Sequence, residues 1–405
     1  MMDFTHSAAL LIFIATYGVV AFGRLPFFRI DRAGAAFLGA ALMMASGALS
    51  PEAAYRAIDL DTIALLLGMM IVVAALRIGG GFRLIAGWAV ARARHPLLLL
   101  VVVVTVSGTL SAFMVNDTIC LVMTPLVLDV VRRLKRRPEP YLIAIATASN
   151  IGSVATITGN PQNMIIGSLS HLSYRAFTAA LAPVAAIGLL LAAGLIAVVW
   201  RREFFVRIDL AAEAQQGTIF MPLVSKALIV VIALIVALFA GMPPSEAAVA
   251  AGGILLLMGR LKPERFYAEI DWPLLLMFAG LFIVVAGVQA SFFGPRAIAM
   301  AGAWHLDQTA PLAIAVALLS NIVSNVPAVL LLRPFIDPLA DPQHAWLVAA
   351  MASTLAGNFT ILGSVANLIV VQRAAADGVR IRFADYFIIG APLTLLTLLV
   401  GIWWL

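Results

Sequence analysis

From Ser7 to Leu405 the chain alternates long apolar runs with short polar punctuation. The runs have the length that a helix needs to cross a hydrocarbon core, about 20 residues. Windows over 8–23, 33–50, 62–76, 140–169 and 175–200 predict five spans, and windows over 222–240, 246–259, 272–290, 345–371 and 384–405 predict five more. Two further apolar regions, 96–131 and 310–336, do not fit single spans. The first span has no basic segment before it and no small-residue cleavage site after it, so it is expected to stay in the mature protein.

Basic residues between the runs set the orientation through the positive-inside rule. Arg24, Arg29 and Arg32 share one face with Arg77, Arg83, Arg92, Arg94, the Arg132–Arg137 run, Arg201, Arg202, Arg207, Arg260, Lys262, Arg265, Arg373, Arg380 and Arg382. Taking that face as cytoplasmic puts both termini on the other side of a cell (inner) membrane. It also makes 96–131, flanked by Arg94 and Arg132, a hairpin that enters and leaves on one face. Segment 310–336 allows only about 13 residues per arm, short of the roughly 17 that a full span needs, and is read as re-entrant. Residues 201–221 form the one sizeable polar linker, between a first half at 1–200 and a second at 222–405.

The halves repeat each other. At an offset of 212, Gly47, Pro51, Glu52, Tyr55, Ile58, Asp59, Gly68 and Ile71 to Ala74 meet Gly259, Pro263, Glu264, Tyr267, Ile270, Asp271, Gly280 and Ile283 to Ala286. At 209, Asn116 and Pro125 of one hairpin meet Asn325 and Pro334 of the other. At 204, Ala148–Asn163 meets Ala352–Asn367. Loop 51–61 falls outside and its partner 260–271 inside, so the repeats are expected to be inverted, the pattern of secondary transporters with a midplane site at broken helices.

Four short polar places interrupt the apolar segments: 116–118, 148–163, 320–325 and 353–367. Free amides and backbone at that depth would cost several kcal/mol each in lipid, so they must face one another or a wet cavity. Gly159, Gly357 and Pro161 favour unwound backbone there, breaking the helices at 140–169 and 345–371. The candidate ion and substrate ligands are Asn116, Asp117, Thr118, Ser149, Asn150, Thr156, Gly159, Asn160, Asn163, Ser324, Asn325, Ser353, Thr354, Gly357, Asn358, Thr360 and Asn367. Asp117 is the one acid read as lying deep in a membrane segment, where such groups carry function by default. Arg333, eight residues past the second hairpin tip, is read as snorkelling outward, and Glu52, Asp59, Glu264 and Asp271 as solvated or capping groups. The Gly79–Gly81 run leads into an amphipathic interfacial helix at 82–94, with a partner expected near 293–305.

Composition narrows the classes further. At 63% hydrophobic and 11% charged residues the chain is no soluble domain. Its +6 charge is spread between spans instead of forming a nucleic-acid patch. Cys120, the only cysteine, excludes a disulfide framework and a cysteine metal cluster, and no phosphate-binding G-x-x-x-x-G-K-[ST] loop occurs. Five scattered histidines assemble no catalytic group or metal centre, so neither an enzyme nor a cofactor is expected.

The strings SNIGSVATITGNPQN, VNDT followed by TPLVL, and AGNFTILGSVANLIV resemble the ion transporter superfamily of arsenite efflux permeases, sodium/proton antiporters and citrate and dicarboxylate symporters. That resemblance implies an all-α polytopic fold with two inverted-topology repeats, about ten transmembrane helices and two re-entrant hairpins. It also implies a homodimer with an elevator motion. Asn116, Asp117, Asn150, Asn163, Asn325, Asn358 and Asn367 are the site residues it carries over. The tips here read Val115-Asn116-Asp117 and Ser324-Asn325-Val326 in place of the symporters' Ser-Asn-Thr, which favours the arsenite and antiporter branches. The expected function is secondary transport of a small anion or oxyanion, coupled to protons or sodium through Asp117. A sodium/proton antiporter is the nearest alternative and a channel the alternative of another class.

Overall fold

The computed structural model describes residues 4–22, 30–92, 95–206, 219–258, 262–292 and 304–405, and every regular element among them is a helix. The first half runs through α1 (Phe4–Phe22), α2 (Arg32–Ala45), a short α3 (Pro51–Ala57), α4 (Leu60–Gly79) and α5 (Gly81–Arg92). A hairpin of α6 (Pro96–Phe113) and α7 (Asn116–Arg133) follows, then α8 (Pro138–Ser153), α9 (Pro161–Ser170) and α10 (Tyr174–Val199). The second half opens with α11 (Met221–Phe239), α12 (Pro244–Met258), a short α13 (Pro263–Tyr267) and α14 (Trp272–Phe292). It continues with the hairpin α15 (Thr309–Val323) and α16 (Asn325–Ile336), then α17 (Pro342–Ala356), α18 (Val365–Ala376) and α19 (Phe383–Trp404).

Capping chemistry sets many of these boundaries. Ser50, Asp59 and Ser173 accept the free N–H groups that open α3, α4 and α10, and Gly80 ends α4 in the left-handed conformation at φ 81°. That turn separates α4 from α5, close to the expected interfacial segment; most of the partner expected near 293–305 lies outside the described residues, as does most of the 201–221 linker. Both helices read as broken are broken in the same way. A 3-10 turn, Ile157–Gly159, stands between α8 and α9, and another, Ile361–Gly363, between α17 and α18.

Six of the described helices are long and apolar enough to cross a bilayer unaided: α4, α6, α10, α11, α14 and α19. At 14 and 15 residues, α2 and α12 reach only about 21–23 Å, and α2 is shorter than its predicted window, 33–50. Each ends just before the Pro that starts a short helix, α3 or α13, and a positive-φ glycine (Gly47) closes α2's end. Outward faces are apolar, as at Leu190, Leu257 and Trp403, and suit contact with lipid.

The halves clasp each other through reciprocal helix pairs, α2 with α14 and α4 with α12. A Cβ on Gly68 would lie 2.4 Å from the carbonyl carbon of Ala248, and one on Gly280 would lie 2.6 Å from that of Ala36. Gly68 and Gly280 are 212 residues apart, and so are Ala36 and Ala248. Backbone thus touches backbone at two equivalent crossings, the small-residue packing that holds helices together where water supplies no driving force.

Candidate functional site

The two breaks are built by one device used twice. In the first half the Asn163 amide donates to the carbonyls of Ser153 and Thr156, both at 3.0 Å. In the second, Asn367 donates to those of Gly357 and Thr360 at 2.8 and 3.1 Å. Each asparagine thereby satisfies carbonyls that the interrupted helix has released, which unwound backbone at this depth requires. Gly159 and Gly363 are the equivalent close approaches, where a Cβ would meet the carbonyl oxygens of Ser153 and Gly357 at 2.2 and 2.8 Å.

A second set of bonds joins the halves. Asn150 Nδ2 donates to Asn358 Oδ1 at 3.0 Å and Asn367 Oδ1 at 3.2 Å, while its Oδ1 accepts from Asn116 at 2.9 Å and Ser364 at 3.1 Å. Asn358 in turn donates to the Thr147 carbonyl at 3.2 Å. The counterpart of the Ser364–Asn150 bond is Asn160 Nδ2 donating to Thr354 Oγ1 at 3.2 Å, where Gln162 also donates at 3.1 Å. Ser149 pairs with Ser111 at 2.9 Å and donates to the Asn116 carbonyl, Thr156 donates to the Ala112 carbonyl, and Ser320 donates to the Ser353 carbonyl. All of these polar side chains are buried.

A cavity of about 300 Å³ opens where the two hairpin tips meet the two breaks. Of the sequence-derived candidates, Asn116, Asp117, Ser324 and Asn325 line it. Thr118 lines an adjoining space of about 110 Å³, which shares Asp117, Leu274 and Val365 with the first. Ser149, Asn150, Thr156, Gly159, Asn160, Asn163, Ser353, Thr354, Gly357, Asn358, Thr360 and Asn367 are not on the wall; they lie around it, most of them in the network that fixes the breaks. Gln162, Ser320, Asn321, Ser364 and Arg32 complete the polar wall. Arg333 is turned to Asp337 at 3.2 Å, away from the cavity, and Asp59 and Asp271 cap α4 and α14. Asp271 also lines the smaller space, beside an Arg77–Glu269 ion pair of 2.6 Å.

Helix ends give this wall its electrostatics. The first residues of α7, α9, α16 and α18 all face the cavity, so four positive dipole ends converge there. Asn160 and Ser364 cap α9 and α18, whereas α7 and α16 begin with no side-chain cap. Their N–H donors remain for acceptor oxygens of a ligand, the usual basis of anion binding at helix ends. The Asp117 carboxylate belongs to no ion pair among the described residues, and Asn116 Oδ1 is buried without a partner. From the sequence Arg32 reads as one of the topology-setting charges. The available signal was its place as the first residue of a helix, where the dipole disfavours a cation unless a counter-charge is near.

Residues 9–356 match the CitMHS family, described as citrate transporter. The "46 kDa membrane protein" of Mycobacterium leprae (strain TN) is 30% identical over 424 residues, 98% of each chain. The "Silicon efflux transporter LSI3" of Oryza sativa subsp. japonica is 29% identical over 460 residues, 94% of this chain and 93% of that one. In fold, the crystal structure of the Alcanivorax borkumensis YdaH transporter aligns with 99% of this chain and 97% of its own at a TM-score of 0.60 and 16% identity. With a match that covers most of its length and relatives named as transporters, this multi-pass membrane protein belongs to the CitMHS citrate transporter family.

Proposed function

We propose that the chain is a secondary active transporter of a small inorganic or organic anion or oxyanion, driven by a proton or sodium gradient, with the cavity between the hairpin tips as its substrate site. The observation that carries this reading is the pair of uncapped helix starts, α7 from one half and α16 from the other, aimed into one cavity beside an unpartnered carboxylate. Acceptor oxygens of the substrate take the free N–H groups and the amides, and Asp117 holds the coupling cation. A rice relative named for silicon efflux supports a small oxyacid as cargo, and the family name leaves citrate as the other chemistry to compare.

Proteoliposomes on a solid-supported membrane test this directly. Silicate, arsenite, citrate and sodium are jumped in turn at two pH values. A current evoked by an anion or oxyacid and altered by pH or sodium is the expected result. A sodium current reversed by the proton gradient, with no response to the others, would make the protein an antiporter, a reading that Asp117 beside Asp271 in the smaller space also supports.

Alternating access follows if the halves are inverted repeats, which the reciprocal Gly68–Ala248 and Gly280–Ala36 crossings support. Glu52 and Glu264 are exposed equivalents at the starts of α3 and α13. Because Cys120 is buried, single cysteines there can be read without background from a native thiol. Glu52→Cys and Glu264→Cys are expected to react with an impermeant thiol reagent from opposite sides of the membrane; labelling from the same side would remove the inversion.

A further inference from the structure

Among the described residues, the substrate cavity is lined by one charged group of each sign, Arg32 and Asp117. Neither belongs to an ion pair among the described residues. Asp31, the carboxylate nearest to Arg32 in sequence, is committed to the N–H of Gly34 at 2.8 Å as the cap of α2. Asp117 also borders the smaller space, where Glu269 is taken by Arg77 and Asp271 caps Leu274. A half-buried guanidinium that makes no direct ion pair among the described residues, at the end of a helix whose dipole disfavours it, is held there at a cost that a ligand can offset.

The guanidinium presents a planar fork of donors, always charged and suited to two oxygens at once. The same cavity is lined by Asn325, Asn321 and Gln162 and by the uncapped starts of α7 and α16. With Arg32 and Asp117 both charged, the described wall carries no net side-chain charge and is set by the helix dipoles. A lone anion then meets Asp117 as a repulsive neighbour, and a lone cation meets Arg32.

We propose that Arg32 is the charge-selecting residue of the substrate cavity, its guanidinium receiving the acceptor oxygens of the substrate while its fixed charge admits one negative charge for each cation held at Asp117. The inference rests on the transporter reading for its role in flux and on the cavity alone for its role in binding. It assigns to α2 a ligand contact, in addition to its place in the clasp with α14.

Binding and flux are measured separately. Purified protein in mild detergent is heated with millimolar citrate, phosphate or arsenite, and the unfolding midpoint is followed in wild type, Arg32→Lys, Arg32→Gln and Arg32→Gln/Asp117→Asn. An anion that stabilises the wild type is expected to lose at least about tenfold in affinity in Arg32→Gln, to be partly restored by Arg32→Lys, and to be partly restored in the double variant, where both charges are gone. In proteoliposomes the double variant is expected to exchange substrate by counterflow without responding to a proton or sodium gradient. Equal anion stabilisation of wild type and Arg32→Gln would overturn the assignment, as would stabilisation of the wild type by none of the three. Arg32-dependent binding without counterflow would keep the assignment and overturn the transporter reading. Unchanged labelling of the Glu52→Cys and Glu264→Cys reporters in the Arg32→Gln background separates charge selection from an effect on membrane topology.

Discussion

The two hairpin tips occupy equivalent places and differ in what they carry. The first passes through Val115 at φ −51° and opens α7 with Asn116 and the carboxylate of Asp117. The second passes through Ser324 at φ 79° and ψ 159° and opens α16 with Asn325 and the apolar Val326. One tip is charged in a relaxed backbone; the other is uncharged in a conformation that is almost reserved for glycine and costs about 1–3 kcal/mol. Away from the tips the halves agree. The asparagine clamps and the glycine crossings recur residue for residue. Shared residues therefore build the frame, and the charged residues that line the cavity, Arg32 and Asp117, have uncharged equivalents in the other half, Pro244 and Val326.

Three pairs of substitutions at matched positions probe that division. The largest effect is expected at the crossings. Gly68→Val and Gly280→Val each force a side chain into a backbone and should lower stability by about 3 kcal/mol, read as loss of folded protein in a thermal scan. A large cost at one glycine and none at the other would end the equivalence. Next are the clamps. Asn163→Ala and Asn367→Ala each strand two carbonyls and should cost about 1–2 kcal/mol apiece, measured as the shift in unfolding midpoint. Smallest is the tip. Ser324→Gly should gain about 1 kcal/mol by removing the left-handed strain, whereas Val115→Gly, at an ordinary φ, should lose stability. A gain at both tips would show that the difference in their backbones has no energetic content.

The duplication is legible in the sequence because backbone punctuation, Gly47, Pro51, Asp59 and Gly68, recurs in one register together with the apolar run Ile71 to Ala74. Both breaks are legible for the same reason: Pro161 and the glycines favour an interrupted helix where polar residues gather. Whether an amide there faces a ligand or a carbonyl is not written locally. Asn163 and Asn367 look like ligands by type and act in the structure as clamps, because their partners lie seven and ten residues back across a turn whose path periodicity does not reveal. Arg32 reads as one of many loop arginines until α2 is placed against the cavity. The shortness of α2 is hidden by apolar residues, Ala48 and Leu49, that follow its end. The contacts of Gly68 with Ala248 and of Gly280 with Ala36 join positions far apart in the chain, and small residues give no hint of their partners.

Those crossings also bear on biogenesis. When the ribosome has finished α10, helices α2 and α4 already exist, yet the surfaces they are shaped to meet belong to α14 and α12, which have not been made. The nascent first half must wait in the bilayer with its glycine notches facing lipid or a chaperone. Only after Phe292 has been added can the last of the two joints close, so assembly of the clasp is a late event of long loop closure instead of a vectorial, helix-by-helix addition.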